Sequence, residues 1–224
     1  MGERAGDRAE KEQVEFDHYN AFYEEFGDDA ASPWCGDHCR RMIVEELRVA
    51  CPRMDEEVRG KVVLDLGGGC TGVLRLFEGA ALKIEMDPLV DRYMDAGKMS
   101  VKGTSRTILL KGYGERMPLS DGFVDVIVCR NALDHVDNPR RAADEIRRVL
   151  KPGGLLVLVV DLKGAPTPAE PNPIAGPEVI PRMFPDFIVE HQEVRAIPRY
   201  EDILARPPVT RPTFYGRLRK RDQE

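Results

Sequence analysis

No apolar run in this 224-residue sequence approaches the roughly 20 residues that a bilayer-spanning helix needs, so we expect no membrane partner. The sequence also lacks an excess of positive charge. Its formal net charge is −6, which argues against a globally basic nucleic-acid-binding protein. Hydrophobic residues make up 42% and charged residues 32%, a composition typical of a globular protein with one sizeable domain.

The sequence shows neither an export signal nor a disulfide framework. Residues 1–11 are charged and have no apolar core, so we expect a disordered tail there and not a signal peptide. The five cysteines are irregularly spaced, which indicates reduced thiols in the cytoplasm. Cys35, His38 and Cys39 lie close together, but no second ligand pair has suitable spacing, and we expect no metal ion.

Short apolar segments alternate with helix-like segments from residue 61 onward. Strands are predicted over residues 61–66, 81–86, 106–110, 123–129, 155–161, 187–195 and 213–218. Helices are predicted over residues 72–79, 89–99 and 139–150, and Asn138 with Pro139 is typical of a helix start. Strands that alternate with helices indicate an α/β fold, in which helices cover both faces of a parallel sheet.

Two segments flank or interrupt this predicted core, which spans residues 61–224. Residues 12–26 have apolar residues at helical spacing and begin a predicted N-terminal helical cap over 12–60. Residues 166–185 contain seven prolines and cannot form a regular helix or strand over that length. We therefore predict an irregular lid over residues 162–185.

The most informative stretch is residues 62–72, which have the sequence V-V-L-D-L-G-G-G-C-T-G. A glycine-rich turn after a strand brings backbone N–H groups close to a ligand. Gly67, Gly69 and Gly72 satisfy the G-x-G-x-x-G pattern of dinucleotide-binding domains. Asp65 would repel a pyrophosphate but would favour a cofactor with ammonium and sulfonium groups, such as S-adenosylmethionine. A nicotinamide-binding domain is the alternative.

This turn resembles the first motif of the class I S-adenosylmethionine-dependent methyltransferases. Two further stretches are similar to family members with small-molecule and quinone-type substrates: G-Y-G-E-R-M-P-L at 112–119, followed by F-V-D-V-I-V at 123–128, and E-I-R-R-V-L-K-P-G-G at 145–154. The resemblance covers residues 61–161. It implies S-adenosylmethionine as cofactor and a Rossmann-like, doubly wound sheet of seven mostly parallel strands, with an antiparallel last strand.

The resemblance also implies which residues bind the methionine end and the ribose of the cofactor. Asp65, Gly67 and Gly69 would surround the methionine end. Asp87 would accept hydrogen bonds from the ribose hydroxyls, because the family's ribose carboxylate lies at the end of the second strand. Glu85 precedes Asp87 by two residues and is the alternative.

Two later segments are implied to complete the cofactor site. Gly114 and Glu115 align with the family's adenine-contacting segment, although Tyr113 stands where the family often has aspartate. The Gly114 amide would donate to the adenine ring, and Glu115 is either a cofactor ligand or a surface charge. Asn131, which follows the fourth predicted strand, would contact the cofactor.

His135 is the candidate general base, because an imidazole with a near-neutral pKa can take a proton from the acceptor as the methyl group arrives. Some small-molecule methyltransferases that this stretch resembles pair such a histidine with a tyrosine of the N-terminal helix. Tyr19 is the candidate for that tyrosine, with Tyr23 as the alternative. A packing role for His135 under the helix that starts at Pro139 is the competing interpretation.

We predict methyl transfer to a small-molecule acceptor. One alternative is methylation of RNA or protein, with the basic residues 206–221 as a docking surface. Another is a catalytically silent S-adenosylmethionine-binding module that acts as a partner or sensor, since Tyr113 departs from the family's pattern.

Overall fold

The computed structural model describes residues 5–26, 36–73, 77–99, 106–167, 170–196 and 211–222. The helices are α1 (Ala5–Phe26), α2 (Gly36–Ala50), α3 (Met54–Val58), α4 (Val90–Asp95), α5 (Pro139–Val149) and α6 (Val179–Met183). The strands are β1 (Val62–Leu66), β2 (Leu82–Asp87), β3 (Thr107–Lys111), β4 (Val124–Arg130), β5 (Leu150–Asp161), β6 (Phe187–Arg195) and β7 (Thr213–Lys220). None of these helices is long and apolar enough to cross a membrane.

The seven strands form one sheet in the order β3-β2-β1-β4-β5-β7-β6. The first five strands pair in parallel. β7 inserts between β5 and β6 and runs antiparallel to both. This topology confirms the predicted α/β fold with an antiparallel last strand. It brings the carboxyl ends of β1, β2 and β4 to one edge, where α/β sheets bind their ligands.

Both faces of the sheet are covered, which explains the nearly continuous apolar sequence of its central strands. In β4, Val126 and Val128 face a cluster that includes residues of α2 and α3, whereas Ile127 and Cys129 face one that includes α5 and α6. α2 and α3, which the sequence assigned to a cap, therefore cover one face of the sheet. α1, the remaining helix of the predicted cap, lies at the edge of the sheet that is formed by the carboxyl ends of the parallel strands.

The predicted strand bounds differ most from the observed bounds at β5. β5 begins at Leu150, directly after α5, whereas the sequence predicted a start at residue 155. Gly153 has a φ of +68°, and the pairing with β4 shifts register between Val124 and Val126. The chain thus turns through its Lys-Pro-Gly-Gly segment without leaving the sheet.

Two predicted segments differ from the structure. Of the helix predicted over 72–79, residues 74–76 lie outside the described residues, and Gly72 and residues 77–79 are not helical. α1 begins at Ala5, within the segment that the sequence predicted to be disordered. Arg8 and Lys11 both pair with Asp137, which gives this charged turn a fixed partner.

The start of α5 confirms its predicted cap. The Asn138 side chain accepts a hydrogen bond from the backbone N–H of Arg141 at 3.1 Å, and Pro139 occupies the first turn. This arrangement satisfies one of the N–H groups that a helix leaves without an internal partner. It fixes the loop between β4 and α5, which contains His135.

Candidate cofactor site

The turn after β1 requires glycine at its first position. Gly67 has a φ of +71°, and a Cβ atom there would lie closer than 3.0 Å to the Cβ atom of Ala132. Its N–H donates to the carbonyl oxygen of Met86 at 2.8 Å. The turn is therefore held between the end of β2 and the loop after β4.

We expect Gly67→Ala to lower the free energy of unfolding more than Gly122→Ala, by about 1 to 3 kcal/mol. Both glycines have positive φ, so both variants share the strain of a left-handed alanine. A Cβ atom at Gly122 meets open space, whereas one at Gly67 overlaps Ala132. Urea denaturation of the two variants would measure the difference, and equal losses would contradict the close contact.

Gly69 leaves room for a ligand. It has a φ of +57°, and among the described residues no atom beyond its own and those of its chain neighbours lies within 4 Å of the position where a Cβ would be. Its N–H donates to Oδ2 of Asp87 at 2.9 Å. This hydrogen bond joins the glycine turn to the carboxyl end of β2.

Asp87 is the carboxylate that the structure brings to the strand end, as the sequence predicted. It is 5% exposed, and its other oxygen accepts from the N–H of Leu89 at 2.8 Å. Burial raises the pKa of Asp87. Because a carboxylate has about four lone-pair positions, two remain for the hydroxyls of a ribose.

Glu85 precedes Asp87 by two residues on β2 and therefore lies further from the carboxyl end of the strand. Its carboxylate is packed under the turn, because a Cβ atom on Gly72 would lie 2.6 Å from Oε1. It is in register with Asp65 on β1. The two buried carboxylates therefore lie side by side beneath the glycine turn.

Asp65 is 1% exposed and accepts a hydrogen bond from the N–H of Val73 at 2.8 Å. Burial, and then the charge of Glu85, raise its pKa from the ordinary value to about 7. A positive charge nearby would oppose both effects. The site thus has the electrostatic character that suits a cationic ligand.

The segment predicted to contact adenine lies between α1 and α5. The Tyr113 hydroxyl donates to Oε1 of Glu12 at 2.9 Å, and the Arg8 guanidinium lies 4.8 Å from the centre of its ring. Gly114 is buried against Val136. Tyr113 is thus held by α1 where the family often has aspartate.

Glu115 is hydrogen-bonded to the start of α5. Its Oε1 accepts from the N–H of Asn138, the cap residue of α5, at 2.9 Å. Asn131 follows β4 with a φ of +49°, and its N–H donates to the carbonyl oxygen of Val159 at 2.8 Å. Non-glycine residues are uncommon in this region, although asparagine adopts it more readily than most.

His135 lies between two carboxylates that come from distant parts of the chain. Its Nδ1 is 3.7 Å from Oε1 of Glu15, and its Nε2 is 3.7 Å from Oε1 of Glu170. Burial lowers the pKa of His135 to about 4. The imidazole is therefore neutral at pH 7. Tyr19 belongs to α1, but its side chain lies outside the described part of the structure.

The sequence did not indicate that acidic residues of α1 and of the predicted lid belong to the site. Glu12 and Glu15 reach the site from one face of α1, and Phe16 on the same helix stacks on Tyr93 with ring centres 5.7 Å apart. Glu170 reaches it from residues 162–185. The only available signal was the spacing of the two α1 carboxylates, which is also typical of a solvated helix.

The core sequence matches a known family. Residues 64–158 match the family model described as a methyltransferase domain. This match and the fold support a class I S-adenosylmethionine-dependent methyltransferase domain over this part of the chain. A curated relative from Mycobacteroides abscessus, described as an uncharacterized methyltransferase, is 37% identical over 106 residues. That match covers 45% of this chain and 40% of the relative, so the chain spans less than half of the relative's length.

Solved structures share the fold of this methyltransferase domain. An S-adenosylmethionine-dependent methyltransferase from Mesorhizobium loti has a TM-score of 0.60 and 18% identity, covering 79% of this chain and 96% of that chain. The [4+2]-cyclase SpnF has a TM-score of 0.64 and 17% identity, covering 88% of this chain and 86% of its own. Because the second protein is described as a cyclase, the methyltransferase fold alone does not determine the reaction.

Proposed function

We propose that this chain transfers a methyl group from S-adenosylmethionine to a small-molecule acceptor. The observation that carries the proposal is the set of buried carboxylates around the glycine turn, Asp65, Glu85 and Asp87. These charges would oppose a pyrophosphate and would attract the ammonium and sulfonium groups of S-adenosylmethionine. The family and the fold imply the same cofactor.

The proposed cofactor contacts follow from the positions of the chain's own groups. Asp87 would accept hydrogen bonds from the ribose hydroxyls with its two remaining lone-pair positions. Asp65 would stabilise the ammonium group, and the open space at Gly69 would admit the methionine end. Gly114 and Asn131 would contact the adenine and the cofactor beside the loop after β4.

His135 is the proposed general base. S-adenosylmethionine, when bound, supplies a methyl group that is already activated by the sulfonium. Burial keeps the imidazole neutral, so it can accept a proton at pH 7, although its low pKa makes it a weak base. Glu15 and Glu170 would stabilise the imidazolium that forms. Tyr19 remains the proposed partner on α1.

A small acceptor is favoured over RNA by the contacts around the site. α1 covers His135, and Asn172 of the 162–185 segment donates to the carbonyl oxygens of Val136 and Asp137 at 2.9 and 3.0 Å. The basic residues of β7 are engaged within the chain: Arg217 and Arg219 pair with glutamates of α3 and β6. Such pairing leaves less charge for phosphates.

Incubation of the protein with methyl-labelled S-adenosylmethionine and a fractionated cell extract would test the proposal. We expect the label to move into the low-molecular-weight fraction. Label in RNA or protein would contradict the small-molecule acceptor. Cofactor binding without transfer to any fraction would favour a silent binding module instead.

A further inference from the structure

We propose that Asp134, His135 and Glu170 form a binding site for a divalent transition-metal ion. One ligand atom from each residue lies within 4.8 Å of the others. Asp134 and His135 are contributed by the loop after β4, and Glu170 by the 162–185 segment. The sequence predicted no metal ion and gave no sign of this set, because Glu170 is far along the chain from the adjacent Asp134 and His135.

The carboxylate of Asp134 provides a second, independent indication. Its side chain is 2% exposed, and its Oδ1 has no hydrogen-bond partner among the described residues. Buried polar atoms without partners are costly, and charged ones especially so, which makes them rare unless a ligand completes them.

Lys163 is the cation that the cluster already contains, and it does not complete the site. Its ammonium pairs with Glu170, but it lies 3.6 Å from Oδ2 of Asp161 and 4.0 Å from Oδ2 of Asp134. Arg211 is 3.9 Å from the same oxygen of Asp161. One ammonium is thus shared among three carboxylates, and a metal ion would have to displace it from Glu170.

The donor set indicates the class of metal. One imidazole and two carboxylates suit Zn²⁺ or Mn²⁺ better than Mg²⁺, which prefers oxygen ligands and retains water. Nε2 of His135 faces Glu170 and would be the nitrogen ligand, while Nδ1 faces Glu15. A carboxylate facing the other ring nitrogen is the usual second partner of a metal-bound histidine.

The proposal of a metal site and the proposal of methyl transfer are independent, so that either can be wrong without the other. A metal on Nε2 would replace His135 as the means of deprotonating an acceptor hydroxyl, because a bound metal lowers the pKa of an oxygen ligand. Without a metal, His135 remains the general base. The metal site is therefore tested by binding of the metal alone.

Calorimetric titration of the chelator-treated full chain with Zn²⁺ would test the site. Cys35 and Cys39, whose side chains are not among those described, are replaced by serine throughout, so that their thiols cannot contribute. We expect one ion per chain. H135Q and E170Q should each weaken binding at least about 10-fold, since even changes outside the ligand shell cost that much.

The remaining variants serve as controls. K163Q should bind Zn²⁺ more tightly, because a competing positive charge is removed. H191Q changes a histidine of β6 outside the cluster and should leave the affinity unaltered. Melting temperatures would show that each variant is folded. No binding, or the same affinity in H135Q and E170Q as in the parent, would overturn the proposal.

Discussion

Asp87→Ala should weaken S-adenosylmethionine binding at least about 100-fold, because the ribose would lose two hydrogen bonds to a charged acceptor, each contributing about 1.5 to 3 kcal/mol. The carboxylate stands at the end of β2 and is already oriented by the N–H groups of Gly69 and Leu89. It therefore needs no rearrangement to receive the ribose. Calorimetric titration with the cofactor would measure the loss.

The same substitution also removes the hydrogen bonds from the N–H groups of Gly69 and Leu89, and the first of these holds the glycine turn, so a matched control is needed. Asp91→Ala removes an exposed carboxylate from α4, where it pairs with Lys111 at 2.9 Å. It should leave the cofactor affinity unchanged. Asp87→Asn keeps the shape of the side chain and should retain the fold. Unchanged affinity in a folded Asp87→Asn or Asp87→Ala protein would contradict the ribose assignment.

Asp65→Asn should stabilise the ligand-free protein increasingly as the pH rises from about 4 to 7, and by a constant amount above that. In the folded protein the pKa of Asp65 is raised to about 7, so the folded state holds its proton more tightly than the unfolded chain does. Stability then falls as the pH rises towards 7. The neutral amide avoids this loss, which amounts to about 4 kcal/mol at most.

Urea denaturation at several pH values would measure this effect. Asp125→Asn is the matched control, because hydrogen bonds from Lys151 and from the N–H of Val62 lower the pKa of Asp125. Its stabilising contribution is present above the unfolded-state pKa and is lost only at lower pH, so its effect should be constant between pH 5 and 8. Parallel pH profiles for Asp65→Asn and the parent protein would contradict the buried charge.

The sequence predicted the sheet well because each strand carries its own burial pattern. The observed bounds of β6 equal the predicted ones, and Asn138 caps α5 as expected. The helix predicted over 72–79 lies partly outside the described residues, and the described glycine turn forms a 3-10 helix at Gly69–Thr71 that the sequence did not indicate. Local sequence patterns predict which residues are buried and where the chain turns, but they do not predict at which residue a turn ends.

The candidate site was predictable only where it follows the strand ends. Asp65 is the second-last residue of β1 and Asp87 the last of β2, and topology alone brings them to one edge. Glu15 and Glu170 approach His135 from α1 and from the 162–185 segment, through contacts that no sequence period encodes. The two carboxylates beside His135 could therefore be identified only from the structure.

We expect the carboxylates around the glycine turn to select a cationic methyl donor. Calorimetric titration of the ligand-free protein with S-adenosylmethionine and, separately, with NAD⁺ would measure this selection. One S-adenosylmethionine per chain should bind saturably, and NAD⁺ should not bind. Saturable binding of NAD⁺ without binding of S-adenosylmethionine would contradict this expectation.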